Sequence, residues 1–454
     1  MHLTLLKPLG PAAVIGVAAV ACLSSGRALA APESAIVRVP CNVAALAGDI
    51  STAVSGQTLN LAPSCRYLLS TALPDISVNL TINGNDATLE RSNASGTPAF
   101  SLLVLTTGPD STSSQDVAIN HLNFRNGDSQ YGGALYGYNN SGQGFTVTVT
   151  GGSFTSNTAT ADGGAIYFSG FDYVSDAGLS VTIAKASFTS NTAAEGGAIA
   201  ANGDNPYKLT VTGDTFIRNT ANPGSGGAID NESNLTVNGG SFTGNTAMWG
   251  GAIASASDSD AEMTVNDAMF ARNTATYLGG ALYNWDGLSA TSDILTGNSA
   301  ETGGGIDNEW YATVSGITFR RNKATTGGGM FNGYNASVSD SSFDHNQAIT
   351  GGGIANGPGD LGLTPTMTVT GSHLTGNTAA TDGGGIANGP GEVAVQVRST
   401  ISIASSSITG NTAASDGGGI YTTQPGNVTL TTSTVNSNRP DNCAPPDAVI
   451  GCTS

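Results

Sequence analysis

The hydrophobic positions of this chain recur in a fixed order along most of its length. Thr/Val-rich segments alternate polar and apolar residues, as in Thr146-Val147-Thr148-Val149, Leu209-Thr210-Val211-Thr212 and Met367-Thr368-Val369-Thr370. A second short segment places an apolar residue three positions before an Asn, as Phe154 before Asn157 and Phe242 before Asn245. A third follows paired glycines, as in Ala165-Ile166-Tyr167-Phe168 and Gly305-Ile306-Asp307-Asn308. Period-two alternation and β-branching specify strands, and no segment of the repeat has helical period. The signature begins weakly at Asn126. It returns at Asn157, Asn191, Asn219, Asn245, Asn273, Asn298, Asn322, Asn346, Asn377, Asn411 and Asn438, spaced by 24 to 34 residues. Units this short cannot bury a core alone and must stack. Three strands per unit, in constant order, predict an all-β fold: a single-stranded parallel β-helix of about 12 coils, each strand pairing with its counterpart one coil away.

The regular positions have structural readings. The apolar residue before each Asn (Phe154, Phe188, Phe216 and on to Phe343, Leu374, Ile408) predicts one inward stack. The Ile after the glycines (Ile166, Ile199, Ile229, Ile253, Leu282, Ile306, Met330, Ile354, Ile386, Ile420) predicts another. Asn at a fixed turn bonds neighbouring backbone, tolerates left-handed φ and stacks in amide ladders. A second Asn row (Asn231, Asn284, Asn308, Asn332, Asn356, Asn388) shares the inward side with the Ile. The glycines permit positive φ and close approach of coils.

Composition changes the picture at the ends and on the surface. Residues 1–30 read as a secretory leader, with Lys7, an apolar stretch from Val14 to Leu23 and Ala28-Leu29-Ala30 as cleavage site. Its removal leaves 13 basic against 33 acidic residues. Such a surface repels nucleic acid and anionic lipid, so neither is an expected partner, and no stretch is fit to span a membrane. Cys41, Cys65, Cys443 and Cys452 lie at the two ends, none within the repeats. A rod of that many coils separates its ends by roughly 55–60 Å, against about 7 Å between bridged Cα atoms. The pairs Cys41–Cys65 and Cys443–Cys452 follow, in an oxidising compartment. Residues 31–56 read as an N-terminal cap, with Asn42 capping a helix from Val43 to Val54 that lays Leu46 and Ile50 on one face. Residues 57–438 read as the β-helix, and 439–454 as a Cys-stapled cap.

The Gly-Gly-[Ala/Gly]-[Ile/Leu/Met] and Phe-x-x-Asn elements, recurring in register over residues 124–438, resemble the repeat of the chlamydial polymorphic outer-membrane proteins and of secreted bacterial β-helix proteins. The resemblance implies a right-handed, pectate-lyase-like solenoid that is extracellular or held at the cell surface. Members of that chlamydial group resemble autotransporters with a C-terminal barrel; here the sequence closes at Ser454 after the Cys-rich tail, so no barrel is expected.

Chemistry is sparse. His121, His345 and His373 are isolated, which argues against zinc. The glycines follow neither dinucleotide nor P-loop spacing, and no nucleophile elbow occurs. The Asn-Thr-Asp and Arg-Ile-Lys sets of polygalacturonase-like enzymes and a pectate-lyase-like Arg-x-Pro-x-x-Arg are absent. Asp162, Glu195, Glu301, Asp382 and Asp416, before the glycines, would hold Ca²⁺ only where loops converge; they lack the nonapeptide Ca²⁺ repeat, so no metal or cofactor is expected. The positions one and three after the Ile should face solvent. There Asp230, Glu232, Tyr283, Trp285, Asp307, Glu309 and Phe331 gather, with Trp310 adjacent and Arg320 and Arg321 near the next Asn turn. Aromatic rings beside carboxylates suit sugar binding. Two residues apart on one strand face, Asp307 and Glu309 would have Cα atoms ~6.6 Å apart, near the lower limit for an acid/base pair flanking a glycosidic bond. The expectation is a monomeric adhesin-like module taking a polysaccharide, or a surface protein of a host or neighbouring cell, through Asp230, Glu232, Tyr283, Trp285, Trp310 and Phe331. The alternative is a polysaccharide lyase or glycoside hydrolase using Asp307, Glu309 and Arg320.

Overall fold

A computed structural model describes residues 35–107, 114–139, 143–169, 178–202, 207–255, 261–389 and 398–452. The leader reading lies outside the described residues. The chain is a parallel β-helix. Its Thr/Val segments form a sheet of 16 strands, the Phe/Asn segments one of 14, and the segments after the glycines one of 13. Every strand pairs in parallel with its counterpart one coil away, as Ile306 with Leu282 on one side and Met330 on the other. A fourth, short strand interrupts the expected three. Two-residue pieces such as Thr158–Ala159 and Thr192–Ala193 directly follow the Asn turns and build broken sheets of 6 and 3 strands.

The interior is two columns deep. Phe124, Phe154, Phe188, Phe216, Phe242 and Phe270 stack with ring centroids 4.6 to 4.8 Å apart and planes within 13°. The spacing of strands in a sheet sets that distance, so one Phe per coil gives a continuous ring stack. Ile166 through Ile420 form the facing column and are fully buried.

Between the columns runs the Asn ladder. The Asn219 side chain takes bonds at Oδ1 from the Asn191 N–H (3.0 Å) and Nδ2 (2.9 Å). Its own Nδ2 donates to Asn245 Oδ1 (3.0 Å) and to the Phe188 carbonyl (3.1 Å). All hydrogen-bonding capacity of a buried amide is thereby used. Two details differ from expectation. The left-handed φ falls on the residue before the ladder Asn, as at Ser156, Ser190, Arg218 and Arg272. Asn126 occupies that preceding position, with φ 57°, and the ladder site beside Asn157 belongs to Gly127, whose N–H donates to Asn157 Oδ1 at 3.0 Å.

Both disulfides form, Cys41–Cys65 and Cys443–Cys452. The helix spans Val43–Ser51; Asn42 Oδ1 caps it by accepting from the Ala45 N–H at 3.0 Å, and Leu46 and Ile50 are buried. The ends are more than caps. Ile36–Val39 already supplies the first strand of the Thr/Val sheet, and Cys443 takes the place of the inward Ile beside Ile420. Among the described residues no helix is long and apolar enough to cross a membrane.

Candidate functional site

The strand after the glycines carries most of the residues in question, and its outward side is covered. Gly303 explains how. It has φ +62°, folds back over its own strand, and a Cβ there would lie 2.4 Å from the Ile306 carbonyl and 2.7 Å from Asp307 Cβ. Its neighbour Gly304 packs against the next coil, where a Cβ would meet the Gly328 carbonyl at 2.4 Å. The outward residues therefore lie beneath a glycine turn instead of facing solvent. Asp230 is 2% exposed, Tyr283 6%, Asp307 0%, Glu309 2% and Phe331 5%. The expectation of solvent-facing positions is corrected for these residues; only Glu232, Trp285 and Trp310 remain half-buried.

Register brings some of the expected residues together and separates others. Asp230, Ala254, Tyr283, Asp307 and Phe331 form one column. The tetrapeptide Ile-Asp-Asn-Glu occurs twice in it, at 229–232 and 306–309. Arg320 sits elsewhere, on the Phe sheet, exposed and paired with Asp344 at 3.3 Å. It does not converge with Asp307.

At the first tetrapeptide, Glu195, Asp230 and Glu232 bring ligand-capable oxygens within 4.8 Å of one another. The Ser225 hydroxyl donates to Asp230 Oδ1. Burial, then Glu195 and other acids, push Asp230 up to about 8 despite that bond, and burial with Glu195 pushes Asp162 to about 6. These carboxylates have the donor chemistry of a hard divalent cation. Glu195 was singled out in the sequence for that chemistry; Ser225 was not, and only its place one residue before a glycine pair marks it.

At the second tetrapeptide, neither Asp307 oxygen meets an N–H or O–H donor among the described residues. Its neighbour is the Glu309 carboxyl, in hydrogen-bonding contact when one of the two holds a proton. Glu309 Oε2 accepts from the Asp360 N–H at 2.8 Å. Burial first, and the Glu309 charge second, hold Asp307 well above the carboxylate range, and burial holds Glu309 at about 7. The 357–365 segment that delivers Asp360 is an insertion between the strands ending at Asn356 and starting at Thr366. Its contact with Glu309, 51 residues away in sequence, left no local signal.

An aromatic group stands where the chain turns from this strand into the Thr/Val sheet. Trp310 stacks on Tyr334 with centroids 4.8 Å apart, and Tyr311 meets both edge-on at 5.3 and 5.4 Å. Tyr311 is 49% exposed and lines an open groove of about 620 Å³ on the Thr/Val sheet. The groove runs from Glu262 across Ser289, Thr313 and Ser337 to Thr368. Its floor follows from the register, which aligns Ser289, Thr313, Ser337 and Thr368 in one column of small hydroxyl side chains. A second hollow, lined by Tyr207, Lys208, Thr236 and Thr264, shares Glu262 with it.

The Chlamydia polymorphic membrane protein repeat matches residues 151–169 and 405–423. Among solved structures, tailspike protein 3 of bacteriophage CBA120 aligns at 13% identity and a TM-score of 0.34, over 88% of this chain and 58% of its own. The A-module of a mannuronan C-5 epimerase from Azotobacter vinelandii aligns at 13% identity and a TM-score of 0.24, over 87% of this chain and 89% of its own. The chain thus spans a little over half the length of the tailspike it matches. No curated protein sequence matches it. The chain is a parallel β-helix in which these two segments are similar to that repeat.

Proposed function

We propose that this β-helix is an extracellular or cell-surface binding module that takes a glycan along the Thr/Val sheet, beside Tyr311, Trp310 and Tyr334. The observation that carries this reading is the groove with an aromatic lip. Hydroxyl side chains one strand apart offer both donors and acceptors to sugar hydroxyls, and an exposed ring beside them can stack on a pyranose face. Two disulfides fit an oxidising compartment, and the repeat match fits surface display. The lyase or hydrolase reading takes second place, because Asp307 and Glu309 are buried and do not line the groove. Tyr283 and Phe331 are withdrawn with them, so the binding face moves round one corner of the coil, from the strand after the glycines to the Thr/Val sheet.

The test is retention of the mature protein on a panel of neutral and acidic polysaccharides, scored together with new reducing or unsaturated ends. Tyr311→Ala with Tyr334→Ala should weaken retention about tenfold, the loss expected for one or two stacking contacts. Retention unchanged by the double substitution sinks the groove reading. New ends that vanish in Glu309→Gln would restore the enzymatic one.

A further inference from the structure

Charge is distributed unevenly round the coil. Beyond residue 30 the chain has 13 basic and 33 acidic residues, and the Phe sheet reverses that balance. Its strands, with the one residue that follows each, hold Arg66, Arg91, Arg125, Arg218, Arg272, Arg320 and Arg321 against the acids Glu90 and Asp344. Both acids are already engaged, Glu90 by Arg66 at 2.6 Å and Asp344 by Arg320 at 3.3 Å. Asp267 and Asp340 precede their strands and so stand at the opposite corner of the coil. At one end of this face Arg66 and Arg125 line a hollow of about 450 Å³.

Three of the arginines share one column. The Arg218 N–H donates to the Thr243 carbonyl, Gly244 to Ala271, Arg272 to Thr296 and Gly297 to Arg320, so Arg218, Gly244, Arg272, Gly297 and Arg321 lie on successive coils. The arginines are thus two coils apart, ~9.6 Å. All three are exposed and make no ion pair among the described residues. Their φ values are 52°, 54° and 53°, a left-handed conformation that Gly adopts freely and a long side chain does not. Gly holds the same position at 244, 297, 376 and 410. A cation therefore stands repeatedly where Gly would be less strained, and such strain marks functional positions. The intervening glycines leave room for it. A Cβ on Gly244 would lie 3.7 Å from Arg218 Cγ, and one on Gly297 3.7 Å from Arg272 Cγ, so each stem runs over the glycine of the next coil.

We propose that the column Arg218, Arg272 and Arg321 is the centre of a second binding site, on the Phe sheet, for an anionic polysaccharide lying along the rod. Guanidinium groups take carboxylates and sulfates in paired hydrogen bonds. The hydroxyls of Thr243, Thr296 and Thr318, outward on the strands between them, bond sugar hydroxyls. One cation every second coil suits a polymer with an acidic group on each disaccharide. Nucleic acid fits less well. Its phosphates are spaced more densely, and no outward position of this sheet holds a Phe, Tyr or Trp on which bases could stack. The acidic remainder of the surface repels the same polymer and so directs it to this face. The site lies on a different sheet from the Tyr311 groove and does not depend on it.

The experiment measures binding of the mature chain to immobilised heparin, which carries sulfate and carboxylate, to alginate, which carries carboxylate alone, and to single-stranded DNA, at about 0.15 M salt. Binding to at least one of the two polysaccharides, weakening as salt rises, is expected. The combined variant Arg218→Gly, Arg272→Gly and Arg321→Gly removes three charges and relieves left-handed backbone, so it leaves the fold intact. It should lose at least tenfold in affinity and flatten the salt dependence. Lys at the same three positions, which keeps the charge without the planar fork, should fall between it and the parent. Tyr311→Ala with Tyr334→Ala should leave this binding unchanged. Binding to neither polysaccharide, or binding that the triple Gly variant retains in full, would overturn the proposal. Equal binding of single-stranded DNA would also overturn it, by making the column a general anion patch. Binding that is lost in the tyrosine variant and kept in the Gly variant would assign the polymer to the Tyr311 groove and overturn this site alone.

Discussion

The tetrapeptides at 229–232 and 306–309 have the same four residues, the same strand and the same register column, three strands apart. Their surroundings differ in every respect that decides chemistry. Asp230 has Ser225 as donor and Glu195 as neighbour; Asp307 has Glu309 and no donor among the described residues. In the column before the glycine pairs, Glu195 and Ser225 are succeeded by Trp249, Leu278 and Thr302. An acid and a hydroxyl thus serve the first site where an apolar residue and a non-bonding hydroxyl serve the second. The inward Asn differs as well. Asn308 lies in an unbroken ladder from Asn284 to Asn388, with amide bonds of 2.7 to 2.8 Å. Asn231 faces Ser255, and both its Oδ1 and the Ser255 hydroxyl are buried without partners among the described residues. Strand position fixes burial and direction; residues on the same and neighbouring coils fix the chemistry.

The largest effect should come from the ladder. Asn308→Ala removes the bonds to Asn332 Oδ1 and to the Trp310 and Asn335 carbonyls, takes away the donor that Asn332 Oδ1 uses, and leaves Asn284 Nδ2 with the Asp286 and Tyr311 carbonyls. Unsatisfied buried amides and a small cavity together cost about 2–4 kcal/mol. Asn231→Ala, where the ladder is already interrupted, should cost about 1 kcal/mol, chiefly the bond to the Ser233 carbonyl. Urea denaturation of the two variants compares them directly. Equal losses would show that the ladder adds nothing beyond packing and that the two sites are energetically alike.

The scaffold was legible because each of its rules repeats. One apolar residue three before each Asn, one Ile, Leu or Met after the glycines and one Asn per coil, coil after coil, leave little room for another fold, and the end positions of Cys41, Cys65, Cys443 and Cys452 left one sensible pairing. The site was less legible for two physical reasons. Strand alternation says which side chains point outward and says nothing of what lies over them; the Gly303 turn, with its positive φ, buries Asp307. The residues that distinguish the sites are also non-local in sequence. Glu195 precedes Asp230 by one coil, and Asp360 reaches Glu309 from an insertion two coils later. Aromatic clustering was visible at Trp310, but the exposed partner Tyr311 opens a strand of another sheet and the stacked Tyr334 directly precedes one.

A pH series should separate the sites next. In chelator, Asp230 is pushed up to about 8 and Asp162 to about 6 in the folded chain, against 3.8 for both when unperturbed. Folded-state values above the unfolded ones mean that the native chain binds protons more tightly. Their contribution is complete below about pH 4 and is lost as pH rises through 6 and then 8. Tm should therefore fall between pH 5 and pH 8. Asp230→Asn keeps an acceptor for Ser225 without the charge. At pH 8 it should raise stability by a few kcal/mol, since each tenfold change in proton affinity corresponds to about 1.4 kcal/mol. At pH 5, closer to the unperturbed 3.8, the gain should be much smaller. A variant that is equally stable relative to the parent at both pH values would place the proton elsewhere and erase this distinction between the tetrapeptides.

The smallest effect tests whether the insertion over the second site is an addition to the coil or a part of it. Gly359 lies against Glu309, and a Cβ there would come within 2.0 Å of a carboxylate oxygen. Its φ is not in the left-handed region, so Ala meets a contact and no backbone strain. The insertion can yield, because it leaves the helix after Asn356 and returns at Thr366. Gly224, near the first site, has no such freedom. A Cβ there would press within 2.6 Å of the Ala194 carbonyl as well as on Glu195, and backbone of the coil itself must shift. Gly359→Ala should thus cost about 1 kcal/mol or less globally, while hydrogen exchange accelerates at the Asp360 amide and its neighbours. Gly224→Ala should lower global stability further and spread the faster exchange along the coil. If Gly359→Ala instead destabilises the whole chain as much as Gly224→Ala, the 357–365 segment is integral to the β-helix, and the difference between the two tetrapeptides extends to the fold itself.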